Sequence, residues 1–203
     1  MNPRPNAPEL VTPFTDPQAR HEAGLFGMWL FLLVLAVLFI ATILGYLVVR
    51  IDNGADFIPA GAPKPPALLL VSTAFLLVSS VTMQRALAFG RAGDARQGGM
   101  MVATVALALG FLLVQAVAWW RLYEQNLAIS DNLYGWTFYV LTGLHAAHVF
   151  GGLPPMLRTA WRASKGAYGP ADHRGITYCA MYWHFLDAVW LVLYATLWIG
   201  SMG

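Results

Sequence analysis

The sequence predicts an all-α integral membrane protein, a bundle of five transmembrane helices. Of its 203 residues, 58% are hydrophobic and only 11% are charged, whereas a soluble domain carries about 25% charged residues. The apolar residues form five continuous runs, each long enough for a helix that crosses a bilayer, which needs about 20 residues. Strands of a membrane β-barrel would instead appear as segments of about ten residues with alternating polarity.

The five predicted spans cover most of the chain in order. Residues 1–24 hold five of the prolines together with mixed charges, and we predict an extended polar tail there, followed by a membrane domain over residues 25–203. Pro154 and Pro155 lie near the end of the fourth span and predict a helix boundary or a kink. The spans run over residues 25–49, 67–89, 99–120, 133–157 and 176–199.

The charges of the loops predict how the chain is oriented. With five spans, the N-terminus and the second and fourth loops share one side of the membrane, and that side carries nine Lys and Arg residues against three on the other. Because basic residues are enriched in cytoplasmic loops, the N-terminus is predicted to be cytoplasmic and the C-terminus to lie outside. The net charge of +2 gives no indication of nucleic-acid binding. The single cysteine, Cys179, excludes an internal disulfide and a C-x-x-C-H haem attachment.

Four ionisable side chains lie within the last two predicted spans. His145 and His148 are three residues apart in the fourth span, and His184 and Asp187 are three apart in the fifth. At a rise of 1.5 Å per residue, an antiparallel hairpin places His145 level with Asp187, and His148 level with His184. Because ionisable groups at membrane depth are rare without partners, we predict that these four side chains form one cluster across the two helices.

Three interpretations of this cluster stay open from the residues alone. It could be a hydrogen-bonded staple that fixes helix packing, with or without a lipid headgroup or water. It could be a metal or haem site, since histidine and carboxylate side chains bind both. It could also be a proton relay, because histidine titrates near physiological pH. In the third span, Gln115 is expected to make an interhelical hydrogen bond.

Four segments of the sequence resemble subunit III of the haem–copper cytochrome c oxidases. Their order and spacing match that family from residue 21 to residue 200, and the words H-x-x-H-V-x-x-G and YWHF-x-D-x-V-W are the specific ones. The five-span form resembles the shorter bacterial members, which lack two N-terminal helices of seven-span relatives. The segments are GMWLFL at 27–32, SSVTMQRAL at 79–87, TGLHAAHVFGGL at 142–153 and YWHFLDAVWLVLY at 182–194.

The resemblance implies an accessory subunit of a bacterial terminal oxidase that itself carries no haem, copper or other metal. Haem and copper would lie in partner subunits I and II, which oxidise cytochrome c or quinol, reduce oxygen to water and move protons across the cytoplasmic membrane. This chain would stabilise the catalytic subunit, hold phospholipids in a cleft and support proton uptake. The residues that match the family's buried polar positions are His145, His148, His184 and Asp187. Trp29, Gln84, Arg85 and Gln115 match motif positions whose roles are less defined.

Two departures from the family pattern concern buried carboxylates. The family usually carries a Ser-Glu pair where this chain has Val34 and Leu35, and it often has a Glu where Ala118 precedes Trp119. These departures argue against a proton-linked role at those positions. They leave open a subunit-III-like partner of a nitric oxide reductase.

A haem-binding membrane electron carrier, with His145 or His148 paired with His184, is a further alternative. A small transporter or proton channel finds no support in inverted repeats or paired broken helices.

Overall fold

The structure is a computed structural model that describes residues 17–59, 63, 66–125, 127 and 132–201. No strand occurs in this part of the chain, and the all-α class predicted from the sequence is confirmed. The described residues form five long helices, with a short 3₁₀ helix at Gly54–Phe57 after the first. The long helices are α1 (Pro17–Asn53), α2 (Leu68–Ala92), α3 (Arg96–Glu124), α4 (Leu133–Ser164) and α5 (Arg174–Gly200).

Two helix boundaries differ by seven or eight residues from those predicted. The first helix begins at Pro17, so residues 17–24 are helical rather than extended; proline suits a first turn because its missing N–H would have no intrahelical partner there. Residues 1–16 of the predicted tail lie outside the described residues. The fourth helix continues through Pro154 and Pro155 to Ser164, so the boundary predicted at these prolines is not found. Membrane helices tolerate proline where neighbouring groups satisfy the freed backbone carbonyls.

Helices α2 to α5 form a closed ring, and α1 lies outside it. Each helix of the ring packs against two others, α3 between α2 and α4, and α5 between α4 and α2. The first helix packs mainly on α5, with a minor contact to α4. It buries one stripe at helical spacing (Leu32, Leu35, Phe39 and Tyr46) and leaves the rest of its apolar surface exposed. The first helix is therefore a peripheral element with a broad apolar face.

Four of the five described helices are long and apolar enough to cross a membrane, namely α1, α2, α3 and α5. The chain is thus a multi-pass membrane protein. The fourth helix has 32 residues, or about 48 Å at the rise of an α-helix, which exceeds the roughly 30 Å of a bilayer core. Its threonine, tyrosine and histidine side chains lower its hydropathy. The fifth crossing and the orientation of the termini stay predictions.

The loops at one end of the ring hold each other in place. Gln97, at the start of α3, is buried and donates from Nε2 to the carbonyl oxygen of Tyr168 at 2.9 Å. Next to Tyr168, the Arg174 Nε lies 2.9 Å from the Asp172 carboxylate. Hydrogen bonds from Arg174 hold the pKa of Asp172 below its usual range. The connection between α4 and α5 is therefore tied to the start of α3 as well as to itself.

Candidate functional site

The four ionisable side chains predicted as one cluster are found in two separate groups. His184 and Asp187 lie beside α2, whereas His145 lies among aromatic rings of other helices. Among the described residues, no hydrogen bond joins either histidine of α4 to His184 or Asp187. The side-chain hydrogen bonds of His184 are thus directed at α2, and the sequence had not indicated α2 as its partner.

His184 is held to α2 through both of its ring nitrogens. Its Nδ1 lies 2.8 Å from the Ser80 hydroxyl, and its Nε2 lies 3.2 Å from the side-chain oxygen of Gln84. This arrangement suits a neutral ring in which Nε2 donates to the amide oxygen and Nδ1 accepts from the hydroxyl. The ring therefore has no nitrogen left over for another ligand.

Asp187 is a buried carboxylate with one nearby histidine. The residue is 5% exposed, and its Oδ2 lies 3.7 Å from His184 Nδ1. That distance is longer than a hydrogen bond, and neither oxygen has a hydrogen-bond partner among the described residues. The histidine nearest to Asp187 is therefore its neighbour one turn earlier on the same helix, not a histidine of α4.

Two buried tryptophans continue the contact between α5 and α2. Trp183 donates from Nε1 to the Ser79 hydroxyl at 2.8 Å, and Trp190 donates to the Thr73 hydroxyl at 2.9 Å. Both indoles are fully buried, so each buried N–H finds its acceptor on the facing helix. We name this line of contacts the α2–α5 seam; it consists of Thr73, Ser79, Ser80 and Gln84 on α2 with Trp190, Trp183 and His184 on α5.

His184 and Gln84 were predicted from the sequence, whereas the hydroxyl side chains of the seam were not. A usable signal was present, since Thr73 and Ser80 are seven residues apart and Ser79 is adjacent to Ser80. Residues seven apart lie on one face of a helix. Hydroxyl groups on one face of a membrane helix indicate a polar contact with a neighbouring helix.

His145 is enclosed by aromatic rings from three other helices. Its ring centroid lies 5.0 Å from that of Trp190, 5.8 Å from Phe111 and 6.2 Å from Phe39. The side chain is fully buried, and neither ring nitrogen has a hydrogen-bond partner among the described residues. His145 therefore lies at the meeting point of α1, α3, α4 and α5.

His148 takes part in a close contact between α4 and α5. Its Nδ1 lies 2.8 Å from the Leu144 carbonyl oxygen, and its own carbonyl oxygen accepts a hydrogen bond from the Tyr182 hydroxyl at 2.8 Å. Gly152 makes room for this tyrosine, because a Cβ there would lie 2.5 Å from Tyr182 Cε1. A Cβ on the adjacent Gly151 would meet nothing within 4 Å. Only the second glycine of the pair is required by this contact.

The remaining motif positions have different surroundings. Trp29 is largely exposed and lines, with His184, a groove of about 500 Å³ between α1 and α5. Arg85 is exposed on α2, seven residues before the helix ends at Ala92. Gln115 is buried, yet its amide has no hydrogen-bond partner among the described residues. The interhelical hydrogen bond expected for Gln115 is not found there.

The metal and haem interpretations are not supported by these surroundings. No group of three or more His, Cys, Asp or Glu side chains in the described part of the chain could hold a metal ion. A haem held by two histidines would need His184, and both nitrogens of His184 face Ser80 and Gln84. The geometry favours the first interpretation, in which the polar side chains fix helix packing.

Replacing His184 by leucine is expected to destabilise the chain by about 1–2 kcal/mol, because the half-buried Ser80 hydroxyl loses its hydrogen-bond acceptor. The buried Asp187 carboxylate also loses the imidazole that lies 3.7 Å from it. Heat-induced loss of the chain from detergent-solubilised membranes measures the change. As a matched control, Gln84→Leu removes only the longer bond, at an exposed side chain, and should have a smaller effect. Equal losses in the two variants would contradict the importance of the Ser80 contact.

Comparison of this sequence with known proteins indicates one family. A family model described as cytochrome c oxidase subunit III matches residues 18–202. A cytochrome c oxidase subunit 3 from Synechocystis sp. is 33% identical over 201 residues, which cover 94% of this chain and 84% of that protein. The subunit 3 of Branchiostoma lanceolatum is 35% identical over 86% of this chain and 69% of its own length. The subunit 3 of Paracentrotus lividus is 36% identical over 74% of this chain and 58% of its own length.

Proposed function

Because the chain belongs to the cytochrome c oxidase subunit III family, we propose that it is the accessory subunit III of a bacterial haem–copper terminal oxidase in the cytoplasmic membrane. The chain carries no redox centre in this proposal. Haem and copper belong to subunits I and II, which oxidise cytochrome c or quinol, reduce oxygen to water and translocate protons. This chain stabilises the catalytic subunit, holds phospholipids and supports proton uptake.

The α2–α5 seam is the observation that carries this proposal. The polar side chains of the YWHF-x-D-x-V-W segment, Trp183 and His184, donate to or accept from hydroxyl and amide groups of α2. Side chains that could have served a redox or transport site are engaged in holding two helices together. This use of polar residues is what a scaffolding subunit requires.

The proposal includes five crossings of the membrane. Helix α4 lies between α3 and α5 in the ring, and both of those helices are apolar enough to span. A 32-residue helix packed between two spanning helices shares their bilayer, so the polar groups of α4 must face protein, as intramembrane polar groups do. With five crossings, the excess of basic residues keeps the N-terminus cytoplasmic and places the C-terminus outside.

Lipid binding is proposed for the peripheral helix α1. Its outward face is broadly apolar and exposed, and the groove that Trp29 and His184 line between α1 and α5 is open to that face. A groove of about 500 Å³ with mostly apolar walls suits an acyl chain.

A subunit-III-like partner of a nitric oxide reductase is the second candidate. Leu35 and Ala118 replace carboxylates of the family pattern, and both side chains are buried in apolar packing. A carboxylate at either position would have to be buried there at a high cost. A branch of the family that works beside a different catalytic subunit could dispense with both groups.

Removal of this chain tests the proposed function. We expect the purified complex that lacks it to keep the haem and copper spectrum and the initial rate, and to lose activity faster during sustained turnover. Restoring the wild-type chain in trans is the control. Selective loss of haem together with this chain would contradict the accessory role. Mass analysis of the copurified catalytic subunit separates an oxidase from a nitric oxide reductase.

A further inference from the structure

Two buried polar side chains on facing helices lack a hydrogen-bond partner in the described part of the chain. Gln115 of α3 is 1% exposed, and His145 of α4 is 0% exposed. Both side-chain atoms of the amide and both nitrogens of the imidazole are unpartnered. Because a buried polar group without a partner costs its full desolvation energy, four such atoms at one interface require an explanation.

The contacts on either side of Gln115 place it near the depth of His145. Four residues before it, the ring of Phe111 lies 5.8 Å from the ring of His145. Four residues after it, Trp119 donates from Nε1 to the Thr142 hydroxyl at 3.2 Å. Residues four apart lie on one helix face, so Gln115 faces α4 between these two contacts. The two helices run in opposite directions with the same rise, so Gln115 lies within about one helical turn of the depth of His145.

The hydrogen-bonding capacities of the two side chains complement each other. A charged imidazolium without an anion would be costly in this apolar cage, so His145 is neutral, with one nitrogen that donates and one that accepts. The amide of Gln115 offers two N–H donors and one carbonyl acceptor. A buried water typically makes two to four hydrogen bonds to polar groups that would otherwise be unsatisfied, and this pair supplies enough partners for one.

We propose that one ordered water molecule is bound between Gln115 and His145 and hydrogen-bonds to both side chains. It satisfies the amide of Gln115 and the imidazole of His145, which the rings of Phe39, Phe111 and Trp190 surround. The water-binding site joins α3 to α4 at membrane depth. It explains why a glutamine and a histidine are buried where neither makes a hydrogen bond with the described residues.

A cryo-EM map of the purified complex that contains this chain, at a resolution that shows ordered waters, tests the proposal directly. We expect one density peak within hydrogen-bond distance, about 2.7–3.2 Å, of both a Gln115 amide atom and a His145 ring nitrogen. A direct hydrogen bond between the two side chains would overturn the proposal. So would an interface with no density between them.

A double-mutant cycle tests the same site without a map. Gln115→Met and His145→Leu are each expected to lower the apparent melting temperature of the chain in its complex by about 2–4 °C, because each leaves the other partner unsatisfied. The double variant should melt no lower than the less stable of the two single variants, because both polar groups are then gone. If the fall in melting temperature of the double variant equals the sum of the two single falls, the proposal of a shared water is contradicted.

The control cycle combines Gln115→Met with Gln84→Leu, an exposed position on α2, and should be additive. If a single variant fails to assemble, recovery of assembly in the Gln115→Met/His145→Leu double variant is the expected result. Failure of the double variant as well would count against the proposal.

Discussion

Replacing Trp190 by alanine is expected to destabilise the chain by about 3–5 kcal/mol, the cost of removing a large buried aromatic side chain. The indole is fully buried; it packs against His145 with ring centroids 5.0 Å apart and makes an edge-to-face contact with Phe111 at 5.1 Å. Its Nε1 also donates to the Thr73 hydroxyl across the α2–α5 seam. Truncation therefore leaves a cavity where α2, α3, α4 and α5 meet, and the chain should be lost from the complex on mild heating.

Two further variants separate the causes of this loss. Trp190→Phe keeps most of the ring packing and removes the N–H, so it should cost about 1 kcal/mol, the worth of one hydrogen bond. Trp198→Ala is the matched control on the same helix, because that side chain is 42% exposed; it should have little effect. Similar losses for Trp190→Ala and Trp198→Ala would show that the buried indole has no special place in the packing.

Alanine at two adjacent glycines should act in opposite directions. A Cβ at Gly98 would lie 2.8 Å from the Cα and 3.0 Å from the backbone nitrogen of Ser164, and a helix backbone cannot move aside as a flexible side chain can. We expect Gly98→Ala to separate α3 from the end of α4 and to cost about 1–3 kcal/mol, as overpacking does. A Cβ at Gly99 would meet nothing within 4 Å, so Gly99→Ala should stabilise α3 by up to about 1 kcal/mol through helix propensity.

Comparison of the two variants in the same heat-dissociation assay checks this prediction. Because the substitutions are chemically identical and neighbouring, any general effect on expression or insertion should be shared. An unchanged or raised stability in Gly98→Ala would mean that α3 and α4 do not approach as closely as the structure describes.

Most helix positions could be predicted from the sequence because their cause is local. A run of about 20 apolar residues is stable in a bilayer only as a helix, since every backbone group must be satisfied within the segment. The end of α4 was not predictable in this way. Pro154 and Pro155 favour a break in an isolated helix, but α4 continues to Ser164 where neighbouring helices surround it.

The polar residues of the candidate site show the limit of sequence reasoning. The depth of His184, His145 and Asp187 follows from counting residues, since an α-helix rises by a constant amount per residue. The direction in which each side chain points does not follow, because these spans are apolar on nearly every side. The prediction of one cluster between α4 and α5 rested on depth, on the three-residue spacing within each helix and on the need of buried ionisable groups for partners, and none of these fixes the rotation of a helix.

The sequence by itself determined the all-α membrane class, the approximate spans and the family. Only the tertiary structure decided that α1 is peripheral, that His184 pairs with Ser80 on α2, and that His145 lies among aromatic rings. The physical reason is that hydrophobicity selects which segments enter the membrane, whereas the packing of side chains selects the rotation and neighbours of each helix. Ser80 and His184 are more than 100 positions apart along the chain, and their contact depends on how the side chains pack.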